Sequence, residues 1–276
     1  MIDKIICGNT LDVLKDMEAE SVDCVVTSPP YYLTRDYDVS NQLGLESTPE
    51  EYLIRLLTIF DEIRCVLKKE GNCFVVINTT FKNKMDLMIP ERFAISMVER
   101  GWIKRRTVIW YKPSCMPSSV KDDFTLDFEY VYRFVRGNKY YFEQQFEALS
   151  EYILSMRQRT GENKGKLDDG GYAITTPQVK KYFDRVRNGE VNGRNRRCVW
   201  KINSACYKDA HFAVFPEKLV EPMILAGCPP DGLVLDPFVG SGTTCLVARK
   251  LGRHYIGIDL NEDYCTMARK RLNEVL

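Results

Sequence analysis

Two short stretches carry residues whose types and spacing could do chemistry. Asp236-Pro237-Phe238-Val239-Gly240-Ser241-Gly242 follows the apolar run Leu233-Val234-Leu235 and precedes a helical pattern from Thr243 to Leu251. A strand that ends in a Gly-rich turn and opens a helix is where a nucleotide-like ligand docks in an α/β sheet. Glycines let backbone and ligand approach closely, and the helix start offers free N–H groups. Asp259 stands 17 residues beyond Gly242, at the end of the next strand pattern. An acid at about that distance can take both hydroxyls of a ribose. The turn lacks the third glycine of the dinucleotide fingerprint, so NAD, FAD and S-adenosylmethionine (SAM) all stay open at this point. The second stretch, Thr27-Ser28-Pro29-Pro30-Tyr31, follows Val22-Asp23-Cys24-Val25-Val26, also a buried-strand signature. Two prolines fix two φ angles and make a rigid, polar, aromatic-tipped loop. Both stretches end strands, so one rim is expected to carry both.

The rest of the chain supplies the elements that must position them. Asp3 to Cys7 reads as a short strand, and Thr10 as the N-cap of a helix carrying Leu11, Val13, Leu14 and Met17. Tyr32 to Gly44 has no periodicity and reads as a loop over the site. Thr48-Pro49-Glu50-Glu51 is a strong helix start, with Lys68-Lys69-Glu70-Gly71 as its end. Cys73 to Ile77 reads as a strand buried on both faces. A helix from about Pro90 to Arg100 follows, then strands near Arg105–Tyr111 and Glu129–Val135 with a loop, Lys112 to Asp127, between them. Without a helix between them, these two predict an antiparallel hairpin at one sheet edge. Helices are expected from Pro216 to Ala226 and from Asn261 to Val275.

Bulk properties narrow the class. At 276 residues the chain can bury one α/β core with an inserted region, and no apolar run approaches the ~18 residues that span a bilayer. The opening Met1-Ile2-Asp3-Lys4 lacks the plan of a signal peptide, so a cytoplasmic location is expected. Ten cysteines form no C-x-x-C pair, which points to reduced thiols and to no metal site. The net charge of +1 hides an asymmetry: Phe146 to Lys201 holds twelve Lys or Arg against seven Asp or Glu, the rest 27 against 31. A basic insertion on a mildly acidic body suits a polyanion partner.

These motifs carry a resemblance. Phe238-Val239-Gly240-Ser241-Gly242 matches the F-x-G-x-G motif, and Ser28-Pro29-Pro30-Tyr31 the (Ser/Asn/Asp)-Pro-Pro-(Tyr/Phe) motif, of the amino-methyltransferases of DNA. His211 to Pro216 resembles the family's segment just before the cofactor turn. The catalytic motif precedes the cofactor motif, the permuted order of the family's β group. The resemblance fades between about Phe146 and Val199. It implies a doubly wound, mostly parallel Rossmann-like α/β sheet, circularly permuted. The catalytic domain would be 1–145 with 211–276, and 146–210 an inserted target-recognition region. SAM would be held by Asn9, Phe215, Asp236, Pro237, Phe238, Gly240, Gly242, Thr243 and Asp259. Relatives usually have Gly-Asp where this chain has Gly8-Asn9, so adenine binding is expected to be weaker or rearranged.

Ser28, Pro29, Pro30 and Tyr31 would be the catalytic loop. An exocyclic amino nitrogen is a poor nucleophile because its lone pair is delocalised into the base. The Ser28 hydroxyl and the Pro29 carbonyl can accept its two N–H bonds and localise that pair, while Tyr31 stacks on a flipped-out base. No His or Cys nucleophile is needed, and His211 and His254 are read as structural. Arg194, Arg196 and Arg197 would contact the phosphates of double-stranded DNA. Ser at position 28 resembles the N4-cytosine members; adenine N6 is the alternative base. An oxidoreductase on a similar sheet and a non-catalytic SAM- or DNA-binding regulator are the rivals from other classes. Whether a cognate restriction endonuclease accompanies the chain stays open, as do monomer and homodimer. Trp110, Tyr111 and Trp200 are expected in the core or at the rim, not as base-stacking groups.

Overall fold

The computed structural model describes residues 2–148, 181, 184–185, 188, 190, 193–205, 214 and 216–274. Their contacts divide the chain into two compact units, Met1–Glu143 with Cys198–Leu276, and Gln144–Arg197.

In the larger unit the strands are β1 (Lys4–Cys7), β2 (Val22–Thr27), β3 (Leu67–Ile77), β4 (Phe81–Lys82), β5 (Met85–Asp86), β6 (Ile103–Lys104), β7 (Val108–Tyr111) and β8 (Phe128–Val135). In the smaller unit β9 (Phe146–Glu147) pairs antiparallel with β10 (Arg194–Asn195). The larger unit then adds β11 (Val199–Lys201), β12 (Leu233–Asp236) and β13 (His254–Asp259). Its helices are α1 (Thr10–Lys15), α2 (Pro49–Val66), α3 (Ile89–Glu99), α4 (Glu217–Gly227), α5 (Thr243–Lys250) and α6 (Glu262–Asn273). The main sheet runs in the order β1-β13-β12-β2-β3-β8-β7-β11, with β6 also on β8; β4 and β5 make a separate ribbon. Within the main sheet only β8 runs against the rest.

Alternation along the central strands explains the two layers. On β3, Cys73, Val75 and Ile77 point into one core, while Phe74 and Val76 point into the other. The first core is closed by α1, α2 and α3, the second by α4, α5 and α6. The doubly wound α/β sheet expected from the sequence is therefore present. Helix α2 starts where the cap predicts, with Thr48 Oγ1 accepting from Glu51 N at 3.2 Å. It buries Tyr52, Leu53, Leu56, Leu57, Phe60, Ile63 and Val66, each contributing roughly 1.5–3 kcal/mol. Phe60 meets Phe93 of α3 edge-on at 5.0 Å.

Two expectations need correction. Lys68 to Gly71 does not trail off α2; it lies inside β3, bulging between the parallel pairs Leu67–Val22 and Asn72–Cys24, with Lys68 ion-paired to Asp23 at 2.8 Å. The β7–β8 hairpin is antiparallel as expected, but it is not the edge. β11 pairs parallel outside β7, so Val199–Lys201, read as part of the insertion, belongs to the main sheet. Among the described residues no helix is long and apolar enough to cross a membrane.

Candidate active site

Strands β12 and β2 lie side by side, pairing Val234 with Cys24 and Leu235 with Val25. Stretches some 200 residues apart thereby end on one rim. Thr27 Oγ1 donates to Asp236 Oδ1 at 2.6 Å, a buried bond that ties the two loops at their roots.

The turn after β12 is built by Asp236 and Asp259 from opposite sides. Asp236 Oδ1 also accepts from Phe238 N at 3.1 Å, while Asp236 Oδ2 is buried with no partner among the described residues. Burial pushes this carboxyl from its ordinary 3.8 up to about 6, against the nearby Thr244 hydroxyl and the hydrogen bonds from Thr27 and the Phe238 amide. Asp259 Oδ2 accepts from Gly240 N and its Oδ1 from Asn261 N, both at 2.9 Å. Burial raises Asp259 as well, and the Asn261, Gly240 and Leu260 amides oppose the rise. Gly240 and Gly242 sit at φ +48° and +83°. A Cβ on Gly242 would stand 2.8 Å from Ala268 Cβ, whereas one on Gly240 would meet nothing within 4 Å. Gly242 thus lets the turn pack on α6, and Gly240 leaves its backbone open. Arg271 of α6 braces the outside, donating from Nη1 to Ser241 O at 2.7 Å, Ser241 Oγ at 2.9 Å and Thr243 Oγ1 at 3.2 Å.

The loop after β2 is equally constrained. Tyr52 Oη donates to Pro30 O at 2.8 Å and Thr80 Oγ1 to Tyr32 O at 2.6 Å. No described residue donates to the Pro29 carbonyl. Ser28 Oγ donates to Tyr31 Oη at 3.3 Å, and Tyr31 Oη donates to Glu129 Oε2 at 2.5 Å. Burial, and then the Glu129 charge, hold the Tyr31 phenol well above the usual tyrosine range. Lys112 ion-pairs with the other Glu129 oxygen and lies 4.5 Å above the Trp110 ring.

A cavity of about 590 Å³ opens between loop and turn, a size within the ~300–1,000 Å³ of small-molecule sites. Of the residues named from sequence, Ser28, Pro29, Pro30, Tyr31, Asn9, Phe238, Gly240, Thr243 and Asp259 line it. Asp236, Pro237 and Gly242 do not: Asp236 is turned back into the protein by Thr27 and Phe238 N and organises the turn from behind. Asn9, not Thr10 as expected, is the N-cap of α1, its Oδ1 accepting from Leu11 N at 2.9 Å, which leaves that oxygen one lone pair for a ligand. Phe215 and His211 lie outside the described residues. His254 pairs with Asp3 at 2.9 Å, a structural role at the start of β13. In the smaller unit, Arg194 and Arg197 both pair with Glu147, at 3.0 and 2.7 Å, and Arg196 N donates to Gln145 O at 2.9 Å. Trp110 is buried with its indole N–H on Ile202 O at 2.8 Å, and it also touches the cavity. Sequence reasoning missed Glu129, Lys112, Arg271 and the edge-on pair Tyr37–Tyr264, which lines the cavity near Asp259.

Comparison with known proteins bears on family and fold. A family model described as DNA methylase, of N6/N4 type, matches residues 22–270. The Type II methyltransferase M.Cfr9I of Citrobacter freundii is 35% identical, covering 96% of this chain and 86% of its own. M.SmaI of Serratia marcescens, also a Type II methyltransferase, is 33% identical over 98% and 90%. Among solved structures, PvuII DNA methyltransferase (cytosine-N4-specific) superposes with a TM-score of 0.70 at 20% identity, covering 97% of this chain and 85% of that one. The M1.HpyAVI–SAM complex gives 0.61 at 20% identity, over 98% of each. At such identities the structural likeness establishes the fold, a Rossmann-like methyltransferase sheet. With the family model spanning most of the chain and relatives above 30% identity along nearly all of it, this chain belongs to the SAM-dependent DNA amino-methyltransferases.

Proposed function

We propose that the chain transfers a methyl group from SAM to the N4 amino group of a cytosine flipped out of double-stranded DNA. The observation that carries this reading is the single cavity bounded by Ser28, Pro29 and Tyr31 on one side and by Gly240 and Asp259 on the other. The cofactor fits the residues present. Gly240 leaves open space in front of its backbone, Asp259 keeps lone pairs for ribose hydroxyls, and Phe238, Tyr37 and Tyr264 offer apolar wall. SAM, when bound, supplies an electrophilic methyl on a positively charged sulfur.

The chain's own residues do the rest. The Ser28 hydroxyl and the Pro29 carbonyl accept the two amino N–H bonds, drawing the nitrogen lone pair out of conjugation. Tyr52, through the Pro30 carbonyl, keeps the loop from yielding. Fixing the nitrogen in line is then mainly a matter of positioning. Cytosine is favoured over adenine by Ser at position 28, and a cytosine-N4-specific enzyme is among the fold neighbours. The smaller unit, with Arg194, Arg196 and Arg197 near Glu147, is assigned to DNA contact and target recognition. The Type II relatives support a cognate restriction endonuclease as companion. The test is transfer of labelled methyl from SAM to DNA by wild type and by Ser28→Ala. The variant should be ~10²–10³-fold slower with SAM affinity retained; undiminished turnover would remove Ser28 from its role.

A further inference from the structure

The hydrogen-bond chain behind Ser28 has a direction. It runs from Ser28 Oγ to Tyr31 Oη to Glu129 Oε2, and it ends on a group that only accepts. Glu129 is buried, and its other oxygen is taken by the Lys112 ammonium, so nothing at this end returns a proton toward Tyr31. Tyr31 must spend its one proton on Glu129, which leaves its oxygen as an acceptor for Ser28. The Ser28 proton is therefore committed to Tyr31, and its lone pairs are what the hydroxyl offers the cavity.

We propose that Glu129, acting through Tyr31, sets the polarity of Ser28 as an acceptor and so makes the site select bases with an exocyclic amino group over bases with a carbonyl at the same position. The inference rests on the reading that Ser28 meets the target base. A serine hydroxyl free to rotate would greet an amino group or a carbonyl equally well, donating to one and accepting from the other. A serine locked as acceptor pairs with N–H but faces a carbonyl oxygen with its own lone pairs, and both acceptors are then left unmatched and desolvated. Glu129 is a positioning residue in this scheme: it shapes the loop's chemistry without touching the base. Trp110 stands opposite Glu129 across the β7–β8 register and carries Lys112 on its ring, which holds the carboxylate end of the chain in place.

The test is binding, with the product S-adenosylhomocysteine in the site so that no transfer occurs. Two duplexes carry the target sequence found by sequencing methylated plasmid DNA, one with the target cytosine and one with uracil in its place, each opposite an abasic position so that neither base has a pair to break. Wild type should bind the cytosine duplex at least about tenfold more tightly. Tyr31→Phe, which keeps the ring, and Glu129→Gln, which allows the chain to reverse, should each lower that ratio several-fold, the fixed Pro29 carbonyl keeping the remainder. Ring-carbon NMR of the unliganded chain should show the Tyr31 phenol titrating at lower pH in Glu129→Gln. General damage to the fold would weaken both duplexes alike and leave the ratio standing. Wild-type discrimination that survives intact in both variants overturns the inference. A wild-type chain that binds both duplexes equally, or transfers no methyl to DNA, overturns instead the functional reading beneath it.

Discussion

Replacing Asp236 by Asn isolates the cost of keeping a charge beneath the cofactor turn. The carboxyl is completely buried and titrates at about 6, against 3.8 in the open chain. Because the folded-state value is raised, this group's contribution is most favourable below pH 3.8 and is lost as pH rises through about 6. At about 1.36 kcal/mol per tenfold change, the full effect above pH 7 is on the order of 3 kcal/mol. Between pH 4.5 and 7.5 the linkage relation gives a change of roughly 2 kcal/mol. Asn keeps the acceptor for Thr27 and Phe238 N but does not titrate, and burying its amide costs the same at both pH values. The free-energy gap between variant and wild type, measured by urea unfolding, should therefore shift by about 2 kcal/mol in favour of Asn at the higher pH. A gap that stays constant would mean that burial does not raise the Asp236 carboxyl.

The two glycines of the turn should respond differently to alanine. Gly242→Ala drives a Cβ against Ala268 and forces a left-handed backbone, costing on the order of 3 kcal/mol of stability by denaturation. Gly240→Ala meets no atom and costs only ~1 kcal/mol, yet calorimetry should show weakened SAM binding because the new methyl group occupies the ligand's approach. Arg271→Met removes the donor shared by Ser241 and Thr243; a stability loss of roughly 1–3 kcal/mol and a lower SAM affinity are expected together.

The layers of the fold were legible because they rest on local patterns. Apolar runs at Val22–Val26 and Cys73–Ile77, the cap at Thr48 and the Gly-rich turn at Gly240 each imply their element by short-range rules. The shared rim followed from both loops ending strands, whereas the side-by-side placement of β2 and β12 did not, since no spacing announces a pairing across 210 positions. What stayed hidden depended on partners. Glu129 sits in a plain strand pattern, and its role exists only because Tyr31, 98 positions away, is brought to it. Asp236 looked like a ligand contact because it ends a strand, but Thr27 on the neighbouring strand draws it inward. Lys68 to Gly71 reads as a polar helix end, and only the pairing of its neighbours Leu67 and Asn72 with β2 draws it into a strand. β11 is three residues long, too short for any period to show.

The most direct trial of the central claim is to treat unmethylated DNA with the purified chain and SAM bearing a deuterated methyl, digest it to nucleosides and weigh them. The account predicts labelled N4-methyldeoxycytidine, formed ~10²–10³-fold more slowly by Ser28→Ala. Label on adenine N6 would contradict the choice of base, and unlabelled DNA would contradict the account as a whole.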